Sequence, residues 1–280
     1  MATALKDALR TIQTHRNLSP HYVELLDILE EILILREEYR GRMREEIFPV
    51  DPKLIEAKMA GGFPVIDFSS VTADLAEPQA YFLALLEIAE KRAPGETGEM
   101  VRKIREGEIL FNDLIYESFN APPEPRDEKT PENEEEASFD LVELFIEESL
   151  RPALEKVATR YGNAVRKAGW TEGYCPICGR EPKIGEIRDE EGSRYLFCNQ
   201  CGFEWNYLRI KCPFCGNEEQ HSLAYFAVEG EESHRVDVCN KCRRYIKIIE
   251  LPKSSEDVNL DIEDIATLHL DMLAYEEGYN

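Results

Sequence analysis

"CNQCGFEWNYLRIKCPFCGN", residues 198–217, decides how the chain is read. It holds two C-x-x-C pairs, Cys198/Cys201 and Cys212/Cys215, with ten residues between them. Cys175/Cys178 and Cys239/Cys242 flank it, so all eight cysteines of the 280-residue chain fall into such pairs. A disulfide framework joins distant loops and does not require this spacing. In a reducing compartment the pairs point to metal ligation.

The chain repeats itself around these knuckles. One unit reads C-P-I-C, nineteen residues that begin with glycine, C-N-Q-C, and the next reads C-P-F-C, twenty-three residues that begin with glycine, C-N-K-C. The repeat favours quartets in sequence order, each with a hairpin between its knuckles, as in a zinc ribbon or rubredoxin-like module. The first unit matches the zinc-ribbon spacing of about 15 to 20 residues, and the second is slightly longer. The two-residue spacer lets both sulfurs face one ion. Proline stiffens the turn, and the glycine after the second cysteine tolerates a positive φ that aims backbone N–H groups at the thiolates. Two ions are expected, each in a shell of four cysteines, and a tetrahedral four-sulfur shell suits zinc or a single iron. A closed four-cysteine site is first of all a staple for a small module. A metal-free pair would instead be a redox dithiol.

Working outward, residues downstream of Trp170 alternate as short strands: KIGEIR, RYLFC, FEWNYLRI, SLAYFAV, HRVDVC and RYIKIIEL. A single helix is expected over DIEDIATLHLDMLAYEEGY. Upstream, residues 1–120 read as mostly helical. Ser19-Pro20 starts a helix whose face includes Leu25, Leu26, Leu29, Ile32 and Leu33. Asp51-Pro52 starts another, ended by Gly61-Gly62, and FPVIDFSS reads as an extended connector. Helices follow over about 77–92 and 97–119, split by Pro94-Gly95. The acidic, proline-rich stretch 121–138 reads as a solvated loop, and a long helix runs from Phe139 toward Ala168. The expected fold is α+β: a helical domain over 1–168, a first four-cysteine rubredoxin-like module over 169–209, and a second over 210–280 that carries the C-terminal helix.

Composition excludes several functions. The longest apolar stretch, LLDILEEILIL at 25–35, is broken by Asp27, Glu30 and Glu31, so no run approaches the roughly 18 residues of a membrane span. The N-terminus carries charges where a signal peptide needs its apolar stretch. A net charge of −23 opposes nucleic-acid binding. Gly-rich phosphate loops, G-x-S-x-G and H-E-x-x-H are absent. His221 and His234 read as surface or strand residues, since four cysteines already complete each shell. Arg243, Arg244 and Lys247, near Tyr245, form a basic cluster that could grip an acidic segment or neutralise the thiolates.

The combination of knuckles, the W-x-x-x-R-x-x-C-P-x-C-G join (Trp205, Arg209, Cys212 to Gly216) and the D-x-A-T-L-H-L-D segment at 264–271 resembles the formate dehydrogenase accessory protein family, FdhE. The match is dense over about 170–280. The resemblance implies a cytoplasmic maturation factor, not an enzyme, built as a helical domain followed by two rubredoxin-like modules, with iron among the metals. The implied partner is the catalytic subunit of a molybdenum- or tungsten-dependent formate dehydrogenase. The eight cysteines carry over as metal ligands. Arg209, Arg235 and Tyr245 sit in the family's pattern and, with Arg243 and Arg244, are candidate partner contacts. The alternative is a thiol redox or sulfur-handling protein using one C-x-x-C pair.

Overall fold

Periodic apolar residues upstream of Trp170 fold as helices, and alternating ones downstream fold as strands. The computed structural model describes residues 3–18, 20–44, 47–68, 74–92, 97–120, 141–188, 192–231, 233–250 and 259–280. Ser19, Pro94-Gly95, the acidic stretch 121–138 and Phe139 lie outside the described residues. The helices before the cysteines are α1 (Thr3–Leu18), α2 (Val23–Arg42), α3 (Ile55–Ala60), α4 (Ala76–Arg92), α5 (Gly98–Arg105), α6 (Phe111–Asn120) and α7 (Leu141–Ala168). Asp51 caps the turn that leads into α3 by accepting from Lys53 N–H, and Gly61 closes that helix. In α2, Leu26, Leu29, Ile32 and Leu33 are buried, whereas Leu25 is exposed.

The helix expected over 97–119 is two helices. Gly107 adopts a left-handed φ of 74°, and Glu108 N–H closes back onto Lys103 O at 2.9 Å. That is a glycine C-terminal motif inside an otherwise helical pattern. Phe111 on the second piece can then pack against Phe82 of α4.

The strands are β1 (Ile184–Arg188), β2 (Ser193–Phe197), β3 (Glu204–Tyr207), β4 (Leu223–Phe226), β5 (His234–Cys239) and β6 (Arg244–Glu250). Each cysteine unit supplies an antiparallel three-stranded meander. The two meanders are fused: β1 pairs in parallel with β6, giving one six-stranded sheet ordered β3-β2-β1-β6-β5-β4. The modules therefore share backbone hydrogen bonds rather than merely touching.

The C-terminal helix is also broken, into α8 (Leu260–Ala266) and α9 (Leu268–Glu276), at Thr267 with φ −112° and ψ 25°. The two pieces must bury apolar faces against different targets. Ile262 of α8 packs with Leu26, Leu29 and Leu33 of α2, while Leu270 and Ala274 of α9 pack on Val236 and Val238 of β5. Thr267 Oγ1 donates to Glu263 O at 2.6 Å, which satisfies the hydroxyl at the break.

A buried ion network ties these layers together. Arg36 Nε and Nη2 donate to both oxygens of Glu148 at 2.6 and 2.8 Å, and Tyr81 Oη donates to the same carboxylate at 2.7 Å. Arg151 donates to Asp261 at 2.5 Å and, through its other amino group, to Asn199 O in the second knuckle. Arg151 is 5% exposed, so α7, α8 and the knuckle share one desolvated cation. Removing such a partner leaves a buried charge unpaired. Arg151→Ala is expected to lower unfolding free energy by about 3–5 kcal/mol, read from urea denaturation. A loss below about 1 kcal/mol, the level of a surface pair, would contradict this network.

A second junction joins the ends of the chain. His15 Nε2 of α1 and His234 Nε2 of β5 donate to the two oxygens of Glu263 at 3.0 and 3.1 Å. Burial alone would raise the Glu263 pKa, but the two histidines outweigh it and hold the carboxyl at about 2, below the usual 4.5. A depressed folded pKa stabilises above pH 4.5, and that stabilisation fades as pH falls toward 2. The stability gap between wild type and Glu263→Gln is expected to be widest near neutrality, on the order of 3 kcal/mol, and to shrink below pH 4.5. Urea midpoints across pH check this, and a gap independent of pH would refute it.

Candidate metal centres

Each knuckle is a tight turn closed by a left-handed residue directly after its second cysteine. Gly179, Gly202 and Gly216 take that position in the first three knuckles, with φ of 79°, 66° and 69°. Each donates its N–H to the first cysteine's carbonyl at 2.8–3.0 Å. The fourth knuckle has no glycine. Arg243 takes the position with φ 59°, the only non-glycine positive φ among the described residues. The end of the chain holds it there. Its guanidinium donates to Gly278 O and Glu277 O at 3.1 Å and lies 4.2 Å from the Tyr279 ring centroid. Asn280 N–H donates to Arg243 O at 2.8 Å. These contacts offset the strain of a side chain in the left-handed region.

The turns bring the sulfurs together as Cys175, Cys178, Cys198 and Cys201, and as Cys212, Cys215, Cys239 and Cys242, with all four sulfurs of a group within 4.8 Å of one another. Measured pairs are 3.4 Å for Cys175–Cys201 and Cys178–Cys198, 3.6 Å for Cys212–Cys242 and 3.8 Å for Cys215–Cys239. These are too long for a disulfide, whose sulfurs sit about 2.05 Å apart. A tetrahedral ion with metal–sulfur bonds of about 2.3 Å places its sulfurs about 3.8 Å apart. The donor set and spacing fit, and each quartet could hold a metal ion; four thiolates suit zinc or iron alike. His221 is exposed and His234 is turned toward Glu263, so neither joins a quartet.

Electrostatics within the second quartet are uneven. As interacting thiols, Cys212 is pushed up to about 11 by burial. Burial acts the same way on Cys239, but N–H groups of Cys242 and Lys241 outweigh it and bring that thiol down to about 7. The buried amide of Asn217 adds a donor to Cys239 Sγ at 3.6 Å and donates to Ser222 Oγ at 2.6 Å. Asn217 and the strained Arg243 are the supporting residues that sequence reasoning misses. The asparagine directly after C-P-F-C-G is the available signal.

The two quartets differ in setting. The first is wholly buried. Val65 and Ile66 of the FPVIDFSS connector donate N–H bonds to Pro176 O and Ile177 O at 2.9 Å, clamping the first knuckle. Arg180 reaches Ser118 O of α6 and Glu147 of α7, and Gln200 donates to Glu147 O at 2.6 Å. Cys175, Cys178, Cys198 and Cys201 belong to the same core cluster as Tyr81, Phe82 and Leu150. In the second quartet Cys215 is exposed and Cys242 half-buried. It touches the first module through Gly173, where a Cβ would lie 1.8 Å from Pro213 O. No side chain fits there without moving the third knuckle.

The candidate partner residues separate by sheet face. Tyr245 donates to Asp271 at 2.7 Å, and Lys247, buried beside it, bonds Asp271 and Asp264. Both hold α8 and α9, and Arg243 holds the chain end. Arg209, Arg235 and Arg244 lie on the opposite side, beside the second quartet.

Cys178→Ser is expected to lower the melting temperature of the whole molecule, because the first quartet is continuous with the helical core. Cys215→Ser is expected to release one metal equivalent and loosen mainly residues 210–250. Structural zinc sites contribute on the order of 10–16 kcal/mol, so either loss is large enough to read. Metal analysis with hydrogen exchange separates the two, and identical exchange patterns would contradict the asymmetry.

Family comparisons agree with this architecture. The model described as "FdhE, central domain" matches residues 174–209, and "FdhE, C-terminal domain" matches 210–280. A protein FdhE homolog of Aquifex aeolicus is 30% identical over 275 residues, covering 97% of this chain and 91% of that one. A homolog of Stutzerimonas stutzeri is 37% identical over 110 residues, covering 38% of this chain and 35% of that one. The crystal structure of the FdhE protein from Pseudomonas aeruginosa shares the fold, with a TM-score of 0.68 at 24% identity, over 99% of this chain and 91% of that one. With 97% of the chain covered by the Aquifex match and both cysteine quartets inside the two matched family domains, the chain belongs to the FdhE family.

Proposed function

We propose that this chain is a non-catalytic accessory factor that binds the catalytic subunit of a molybdenum- or tungsten-dependent formate dehydrogenase in the cytoplasm and supports its assembly or activation. The observation that carries this reading is the near full-length similarity to an FdhE homolog. The donor sets support it. Four thiolates complete a tetrahedral shell, so an ion in either quartet has no open position for substrate. In this reading all eight cysteines are ligands, and Arg209, Arg235, Arg243, Arg244 and Tyr245 lie at or behind the partner surface. The chain divides functionally into 1–168, 169–209 and 210–280. Among the described residues no helix is long and apolar enough to cross a membrane.

A second reading, a thiol redox or sulfur-handling protein, draws on the exposed Cys215 and the lowered Cys239 thiol. Its chemistry needs a free pair. Alkylation of the metal-loaded protein followed by mass spectrometry separates the readings: protection of all eight thiols favours the accessory role, and rapid labelling of one pair favours the thiol chemistry.

The accessory role itself is tested by co-expressing the tagged chain with a formate dehydrogenase catalytic subunit. A stoichiometric complex, with no formate turnover by the chain alone, is expected. Failure to retain the subunit in any maturation state would overturn the role.

A further inference from the structure

The meander of β4, β5 and β6 has one face covered by α9. Its other face, with the 209–214 connector, bounds a cleft of about 320 Å³ beside the second quartet. Five cations line it, Arg194, Arg209, Lys211, Arg235 and Arg244, against a single lining carboxylate, Asp237. In a chain of net charge −23 this is a local reversal of sign. Cations that merely decorate a surface pair with the surrounding acids, and four of these do: Arg235 with Asp237 and Glu250, Arg194 with Asp237, Arg244 with Glu181, and Lys211 with Glu218.

Arg194 is 3% exposed and already engaged, since its Nη2 also donates to Leu208 O and Lys211 O and only its buried Nε lacks a hydrogen-bond partner. Arg209 is exposed and has no ion pair among the described residues. Even the paired Arg244 keeps its Nε as a buried donor without a partner. This leaves Arg209 as the cleft cation placed to meet an acceptor from outside, within the field of the other four.

The lining also says what kind of acceptor. Phe214, Leu223 and Ile246 supply apolar wall between the cations. Leu208, Ile210 and Tyr225, at the cleft or next to it in sequence, are 62%, 51% and 67% exposed. A bare inorganic oxyanion has no use for that apolar surface. Arginines and tyrosine interleaved with exposed apolar side chains are the composition of a protein-binding hot spot.

We propose that this cleft is the docking site for a segment of the partner protein that carries a carboxylate beside an apolar side chain. The assignment rests on the accessory reading above and locates its contact. The carboxylate pairs with Arg209, and the apolar side chain packs on Ile210, Phe214 and Tyr225. Cys212 and Cys239 line the same cleft, so the second quartet sets its shape.

The test uses the metal-loaded full chain and a purified formate dehydrogenase catalytic subunit. Arg209→Glu and Ile210→Asp are each expected to weaken binding by about tenfold or more, with metal content and melting temperature unchanged. Arg102→Glu on α5 is the control and is expected to leave binding intact. Wild-type binding that survives both cleft variants overturns the cleft while leaving the accessory role standing. No binding by wild type overturns the accessory role and, with it, this assignment. Titration with inorganic phosphate guards against a small-anion site. Phosphate binding that is lost in Arg209→Glu and kept in Ile210→Asp, with subunit binding unaffected by Ile210→Asp, would contradict the protein-segment assignment.

Discussion

Sulfurs drawn within 4.8 Å of one another repel as thiolates, and a cation at their centre turns that repulsion into attraction. The rest of the cysteine region depends on this exchange. Neither meander closes a core by itself: Ile187, Leu196 and Trp205 of the first and Ile246 and Ile248 of the second join the helical core, while Val236 and Val238 pack only in a small cluster with α9. Such a module gains from a staple that folds with it. The knuckle turns exist to present sulfurs at the right spacing, which is why a left-handed residue follows the second cysteine four times over, even where that residue is arginine.

The two quartets use this staple differently. The first is enclosed by the 65–66 connector, α6, α7 and α8, and its cysteines are part of the helical core. The second stands at the surface, joined to the first through β1–β6 pairing and the Gly173–Pro213 contact. One ion site thereby anchors the molecule and the other shapes an exposed face. The residues of β6 divide along the same line. Tyr245 and Lys247 point to the terminal helices, while Arg244 and Ile246 point to the cleft. The period of two in a strand turns one short sequence, RYIK, into both a structural clamp and a candidate binding wall.

Much of this is legible in the sequence because the informative signals are local. C-x-x-C spacing, the repeat of C-P-x-C-G and alternation in HRVDVC and RYIKIIEL depend on neighbours only, and quartet grouping and strand positions follow from them. Long-range facts are not legible. Parallel pairing of β1 with β6 depends on which edges meet, and sequential hairpins carry no trace of it. The break at Thr267 arises because the two halves of one apolar pattern face α2 and β5 separately. Gly107 does carry a signal, but helical periodicity continues across it. Nothing local in the sequence marks Arg36 and Arg151 as buried, and only the fold reveals it. The cleft is hidden for the same reason, since Arg194 of β2 meets Arg235 and Arg244 only after the two meanders fuse.

Two closed four-sulfur cages are tested most directly by X-ray absorption at the metal edge of anaerobically purified protein, combined with metal stoichiometry. Two metal equivalents per chain are expected, each with four sulfur neighbours at about 2.3 Å and no lighter atom bound to the metal. Fewer than two equivalents, or an oxygen or nitrogen scatterer at bonding distance, would contradict this arrangement.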